Sequence, residues 1–267
     1  MMTVILLQAL DRYRAHLGQF LLISLVAALL SAGIPLLVFM VLGGMGAAMA
    51  LAGGALGSDP GVILALLGAA VVGTLLALLA AWLLGALGYG MQCTAARDAL
   101  TGQPVSLGRA LAGAGQCWGR VVGYSLLIFL PQMVLTAVAA ISFLGWLLYL
   151  LSLLVLPPTF LYGLYALVAE DLSVSAALGR VWAGLTRRFG EHVLAGLVML
   201  GIALTLGLVS ALLALIPIAG WVAAALLFFA GIGFLPVYFG LRYQRNVRPY
   251  LEEQGPPVPP FPQGPTA

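Results

Sequence analysis

The sequence predicts an all-helical, polytopic membrane protein with six transmembrane helices and amphipathic interfacial helices on its cytoplasmic side. Three observations carry this reading. Of the 267 residues, 63% are apolar and 7% are charged, whereas a soluble domain carries about 25% charged residues. Such a chain cannot cover itself in water, which excludes a soluble enzyme, a disordered chain and a disulfide scaffold. No charge interrupts the stretches 17–58, 60–96, 121–169 and 193–241. The basic residues, all of them arginine, cluster between those stretches.

About 20 apolar residues cross the ~30 Å of bilayer hydrocarbon. The third and fourth stretches are too long for one span each, so both fold back as hairpins, with turns expected at Phe143-Leu144-Gly145-Trp146 and Pro217-Ile218-Ala219-Gly220-Trp221. The first two stretches meet in a small-residue segment containing Gly43-Gly44, Gly53-Gly54 and Gly57-Ser58-Asp59-Pro60-Gly61, which does not read as a span. Six spans result, at about 17–42, 62–90, 121–143, 147–168, 193–216 and 221–241. They form a single membrane domain over 1–247, followed by a Pro-rich tail over 248–267.

With six spans, Arg12, Arg14, Arg97, Arg109, Arg120, Arg180, Arg187, Arg188, Arg242, Arg245 and Arg248 all fall on one side, and the other side carries Asp59. The positive-inside rule makes the arginine side cytoplasmic, with both termini inside a cell membrane. A seventh span through 42–58 would scatter the arginines over both faces. The first apolar run is far longer than the 7–15 residues of a signal peptide's apolar region, so it reads as a retained span. The absence of lysine beside abundant Ala, Gly, Pro and Arg points to GC-rich coding and a bacterial source.

Surface helices are expected between spans. Over 173–192, Val174, Ala177, Leu178, Val181, Trp182, Leu185 and Phe189 recur at intervals of three and four, with Arg180, Arg187, Arg188 and Glu191 mostly off that stripe. The 106–120 segment repeats the pattern with Leu107, Ala110, Leu111, Ala114 and Trp118, and a shorter helix opens the chain around Leu6, Leu10, Tyr13 and Leu17. Internal similarity follows the same units. Ser106, Ala110, Leu111, Arg120 and Gly123 recur as Ser173, Ala177, Leu178, Arg187 and Gly190, and Ile141, Gly145 and Trp146 as Ile216, Gly220 and Trp221. Tyr89-Gly90, Tyr162-Gly163 and Phe239-Gly240 mark similar exits from the even spans. The chain therefore reads as three parallel repeats of a surface helix plus a hairpin.

The run from Leu164 to Trp182, continuing to Arg187-Arg188-Phe189-Gly190, resembles a signature of bacterial six-span proteins. That group includes the membrane domain of some glycerophosphoryl diester phosphodiesterases and uncharacterised relatives. Arg97-Asp98-Ala99-Leu100-Thr101-Gly102-Gln103-Pro104-Val105-Ser106 is similar to the group's first cytoplasmic loop, and the resemblance spans about 85–245. Ala166 stands where these proteins often have proline, and Val181 where a small hydroxyl residue often precedes the tryptophan. The sequence holds no phosphodiesterase domain, so the resemblance implies a fold and not an activity.

A charged residue at a span centre costs about 2.5–3.5 kcal/mol on insertion scales and usually marks function; the predicted spans hold none. His16 and His192 sit beside arginines without metal-ligand spacing, and Cys93 and Cys117 form no CxxC motif. The expectation is a non-enzymatic scaffold or lipid-associated protein with no cofactor, no metal and no nucleic-acid partner. Arg109, Arg120, Arg180, Arg187 and Arg188 are its candidates for holding anionic headgroups or a partner. Gly255-Pro256-Pro257-Val258-Pro259-Pro260-Phe261-Pro262 offers a polyproline docking peptide. The alternative is a permease using the helices kinked at Pro131-Gln132, Pro157-Pro158-Thr159 and Pro236, with Gln132 and Thr159 on its pathway.

Overall fold

The computed structural model describes residues 2–37, 39–41 and 60–249; the 42–58 linker, Asp59 and the Pro-rich tail from 250 onward lie outside the described residues. Every regular element described is helical. α1 is Met2–Ala15, and α2, Leu17–Ala28, runs on through a π-helical turn at Leu29–Gly33. α3 is Pro60–Thr101, α4 Leu107–Ala139 and α5 Phe143–Ala169. α6 is Val174–Arg187, α7 Phe189–Leu213 and α8 Ala219–Arg242, the last extended by a π-helical turn at Tyr243–Val247. Six helices, α2 to α5 with α7 and α8, are long and apolar enough to cross a membrane.

The six pack as a ring in the order α2, α3, α4, α5, α7, α8, with α8 returning onto α2. Inside it, α3, α5 and α8 touch one another, so the second helix of each successive pair faces the centre. Small residues make these approaches possible, as membrane helices require. At the α3–α4 crossing, a side-chain carbon on Gly90 would sit 3.1 Å from the Ala114 Cβ, and one on Gly113 2.7 Å from the Thr94 methyl. α1 lies on α8 through Ile5, Ala9 and Tyr13, one buried residue per turn. Tyr13 packs at a tilt against Phe20 and meets Phe234 edge-on, and burial pushes its phenol up to about 12, which keeps it neutral.

Three expectations change. The 106–120 segment is not a separate surface helix. Capped by the Ser106 hydroxyl, which accepts from the Arg109 amide, it continues into the following span as one helix of 33 residues. Of its glycines, Gly113 lets this first half pack against Thr94 of α3, while Gly108, Gly115 and Gly119 have open space around them. The first hairpin turn also falls earlier than expected: Ser142 caps α5 by accepting from the Gly145 amide (3.0 Å), so Phe143 to Trp146 form the first helical turn. Finally, the apolar stripe of α6 is divided. Ala177, Val181 and Gly184 are buried, while Trp182 and Phe189 are 65% and 51% exposed.

The two hairpins close alike. Any side-chain carbon on Gly145 would overlap the Val138 carbonyl, and one on Gly220 the Leu213 carbonyl. Beside the second turn, Ile218 adopts φ 58°, a conformation that costs a β-branched residue energy, and the Trp221 indole N–H bridges the turn to the Ala214 carbonyl (3.0 Å).

Proline in α5 sets another contact. Pro158 lacks the N–H that would pair with the Leu154 carbonyl, and Gly196 of α7 lies directly against that oxygen, where a methyl group would overlap it. Gly196→Ala is therefore expected to push α7 off α5 at a cost of about 1–3 kcal/mol. Gly201→Ala, on the same helix with nothing within 4 Å of an added carbon, is expected to leave stability unchanged or slightly raised. Paired thermal unfolding of the two detergent-solubilised variants checks this.

Candidate functional site

Two regions gather polar side chains. The first is the end of the bundle where the arginines collect. Asp98, near the C-terminus of α3, has a side chain 2% exposed and pairs with Arg97 and with Arg109 of α4, each at 3.0 Å. Arg120 of α4 reaches the loop after α5, pairing with Asp171 and donating to the Leu172 carbonyl (3.0 Å). Glu170, 6% exposed, is held between Arg180 of α6 and Arg248, whose Nε is 3.8 Å away. Glu191 of α7 accepts from Arg188 (2.8 Å) and from the Asn246 amide (3.1 Å). Arg242, 3% exposed, donates to the Tyr238 hydroxyl and to the Glu191 carbonyl, both at 2.9 Å.

Physical chemistry explains why these charges are paired. Packed between helices and stripped of part of their water, isolated ions would cost several kcal/mol each, so each acid is met by arginine. Of the arginines singled out by sequence, Arg109, Arg120 and Arg180 thus tie one helix to the next. Arg188 closes a local pair with Glu191, and Arg187 lies exposed at the end of α6. His192 is buried, 3% exposed, with its ring edge-on to Tyr162 at 5.2 Å. Cys93 and Cys117 are both buried and free.

The second region is a cavity of about 420 Å³ among α3, α4, α5, α7 and α8. Its walls are mainly Ile128, Phe129, Leu153, Phe160, Met199 and Leu235, with Gln92, Gln132 and Tyr149 supplying polar atoms. Pro157 and Pro236 are both in the wall. The structure brings Gln132 here, where the Ser152 hydroxyl donates to its Oε1 (3.0 Å). Thr159 is used otherwise: its hydroxyl donates to the Val155 carbonyl (2.7 Å), and its own carbonyl accepts from the Tyr124 hydroxyl (2.9 Å).

Gln92 was not among the residues singled out by sequence. Its signal was available, as the one carboxamide between Tyr89 and Arg97, but the predicted span ended at 90, which set Gln92 outside the membrane. The acids Asp98, Glu170 and Glu191 were also passed over, because pairing across helices leaves no mark in linear spacing. Compared with protein-family profiles, curated proteins and solved structures, the chain matches none.

Removing an acid from the paired layer separates buried from exposed contributions. Glu170→Ala leaves two partly buried arginines without their counter-ion and is expected to cost about 3–5 kcal/mol. Asp171→Asn, at a side chain 75% exposed and at φ 53°, which Asn tolerates as Asp does, is expected to cost no more than about 1 kcal/mol. Thermal unfolding monitored by size-exclusion chromatography measures both.

Proposed function

We propose that this chain is a non-enzymatic, lipid-associated protein of a bacterial cell membrane, multi-pass, with both termini in the cytoplasm. The observation that carries the reading is at the α6–α7 junction. There, Arg187 and Arg188 are exposed beside an exposed Trp182 and Phe189. Aromatic rings favour the headgroup level, and arginines near an anionic leaflet gain about 1 kcal/mol each. The junction thereby offers an anionic headgroup both a ring to rest on and a charge to meet. Headgroup binding is assigned to Arg187 and Arg188 because the two exposed rings stand beside them; Arg188 also pairs with Glu191 and would share its charge with that carboxylate.

Three parallel repeats underlie this framework. The reading is supported by the matching glycine–carbonyl closures at Gly145 and Gly220, by the central placement of α3, α5 and α8, and by the acid-to-arginine clamps from Asp98 to Arg109 and from Glu170 to Arg180. The resemblance to the membrane domain of glycerophosphoryl diester phosphodiesterases fits a framework that presents a charged face to a soluble partner. The Pro-rich tail would serve such a partner as a docking peptide.

The test is native mass spectrometry of protein released from vesicles holding equal phosphatidylglycerol and phosphatidylethanolamine. Phosphatidylglycerol is expected to be retained preferentially. Arg187→Gln with Arg188→Gln should lower that preference on the order of tenfold or more, from about 1 kcal/mol per arginine. Unchanged retention in the double variant removes these residues from the reading.

A further inference from the structure

We propose that the cavity among α3, α4, α5, α7 and α8 is a binding site for an uncharged amphiphile, an apolar body carrying one or two hydrogen-bonding groups, that reaches it sideways from the bilayer between α3 and α4. This goes beyond the headgroup reading and involves none of its residues.

The lining defines the ligand's chemistry. Among the described residues, no arginine or carboxylate lines the cavity, so nothing there would compensate an ionic headgroup drawn out of water. At about 420 Å³, it falls within the ~300–1,000 Å³ of small-molecule sites, which are likewise apolar with a few convergent polar groups.

One of those polar groups is in want of a partner: Gln92 is 4% exposed, and among the described residues its carboxamide makes no hydrogen bond, whereas Gln132 is met by Ser152. Gln92 stands where this cavity meets a neighbouring one of about 350 Å³, whose lining shares Tyr89, Gln92, Phe129 and Ile232 with it. Its amide atoms are not sealed off by protein and Gln92 lines both hollows, so a ligand hydroxyl or carbonyl there would supply the hydrogen bond that the protein does not. The prolines add acceptors. Pro157 and Pro236 deprive the carbonyls of Leu153 and Ile232 of their helical donors. Leu153, Pro157, Ile232 and Pro236 all line the cavity, whereas the Leu154 carbonyl freed by Pro158 is covered by Gly196. Two acceptors thus remain beside the hollow and one is closed off by protein.

A route leads in from the side. On the outer face of the bundle, Leu78, Leu79 and Trp82 of α3 form a groove with Leu126, Leu130 and Met133 of α4. That groove shares Phe129 and Gln132 with the cavity. Phe129 is 38% exposed and its ring lies 5.0 Å from that of Phe160 in the cavity wall. It stands as the side chain between hydrocarbon and cavity, and its rotation opens the one onto the other.

The experiment uses the full chain in nanodiscs with two photoreactive probes bearing the same diazirine-tailed acyl chain, one a monoacylglycerol and the other a phosphatidylglycerol. The monoacylglycerol is expected to label peptides containing Phe129 and Leu153 saturably, with competition from unlabelled monoolein and not from phosphatidylglycerol. Gln92→Leu should weaken that labelling about fivefold, the worth of one hydrogen bond, without lowering the melting temperature. Met199→Trp, which fills the hollow, should abolish it. The Arg187→Gln, Arg188→Gln variant should label as the parent does, so the two readings fail independently. Equal labelling by both probes, labelling confined to lipid-facing positions such as Leu75, or full labelling of Met199→Trp would each overturn the proposal.

Discussion

Hydrocarbon offers no hydrogen bonds, so each backbone N–H and C=O in the spans must find a partner inside its own helix or on a neighbour. Most features of this bundle follow from how that demand is met where the helices are interrupted. Proline removes donors at positions 131, 157, 158 and 236, and each removal leaves an orphan carbonyl. At Pro158 the remedy is a glycine on the facing helix, brought so close that no side chain could replace its hydrogen. That contact sets the distance between α5 and α7. At Pro157 and Pro236 the residues left without a helical donor, Leu153 and Ile232, line the cavity together with the prolines.

The same scarcity of solvation governs charge. In the folded bundle Arg109, Arg120, Arg180, Arg242 and Arg248 each meet a carboxylate or carbonyl on another segment of the chain.

Much of the architecture was legible in the residues. Uncharged runs bounded by arginine located all six spans, and each Gly-Trp pair falls in the first helical turn just after a hairpin, because insertion energetics act on local composition. The boundaries were less legible. Spans were drawn to end where polar residues begin, whereas α3 continues past Gln92, Thr94 and Asp98 to Thr101, and α4 starts well before its apolar run. Helices packed side by side shield one another's polar groups, so a buried Gln or Asp is tolerated that an isolated span would expel. In α6 a period of three to four marks an apolar face without saying which part meets protein: Ala177 and Val181 are buried and Trp182 is exposed.

Composition, charge position and length thus determined on their own that the chain is helical, how many times it crosses and where its arginines gather, since these depend on transfer free energies that each segment satisfies alone. Tertiary structure alone decided which acid meets which arginine, that His192 is buried, that Thr159 serves packing while Gln132 faces a cavity, and that Gln92 stands beside it without a partner. Those outcomes depend on the distance between helices far apart in the chain, set by glycine and proline contacts no single segment contains.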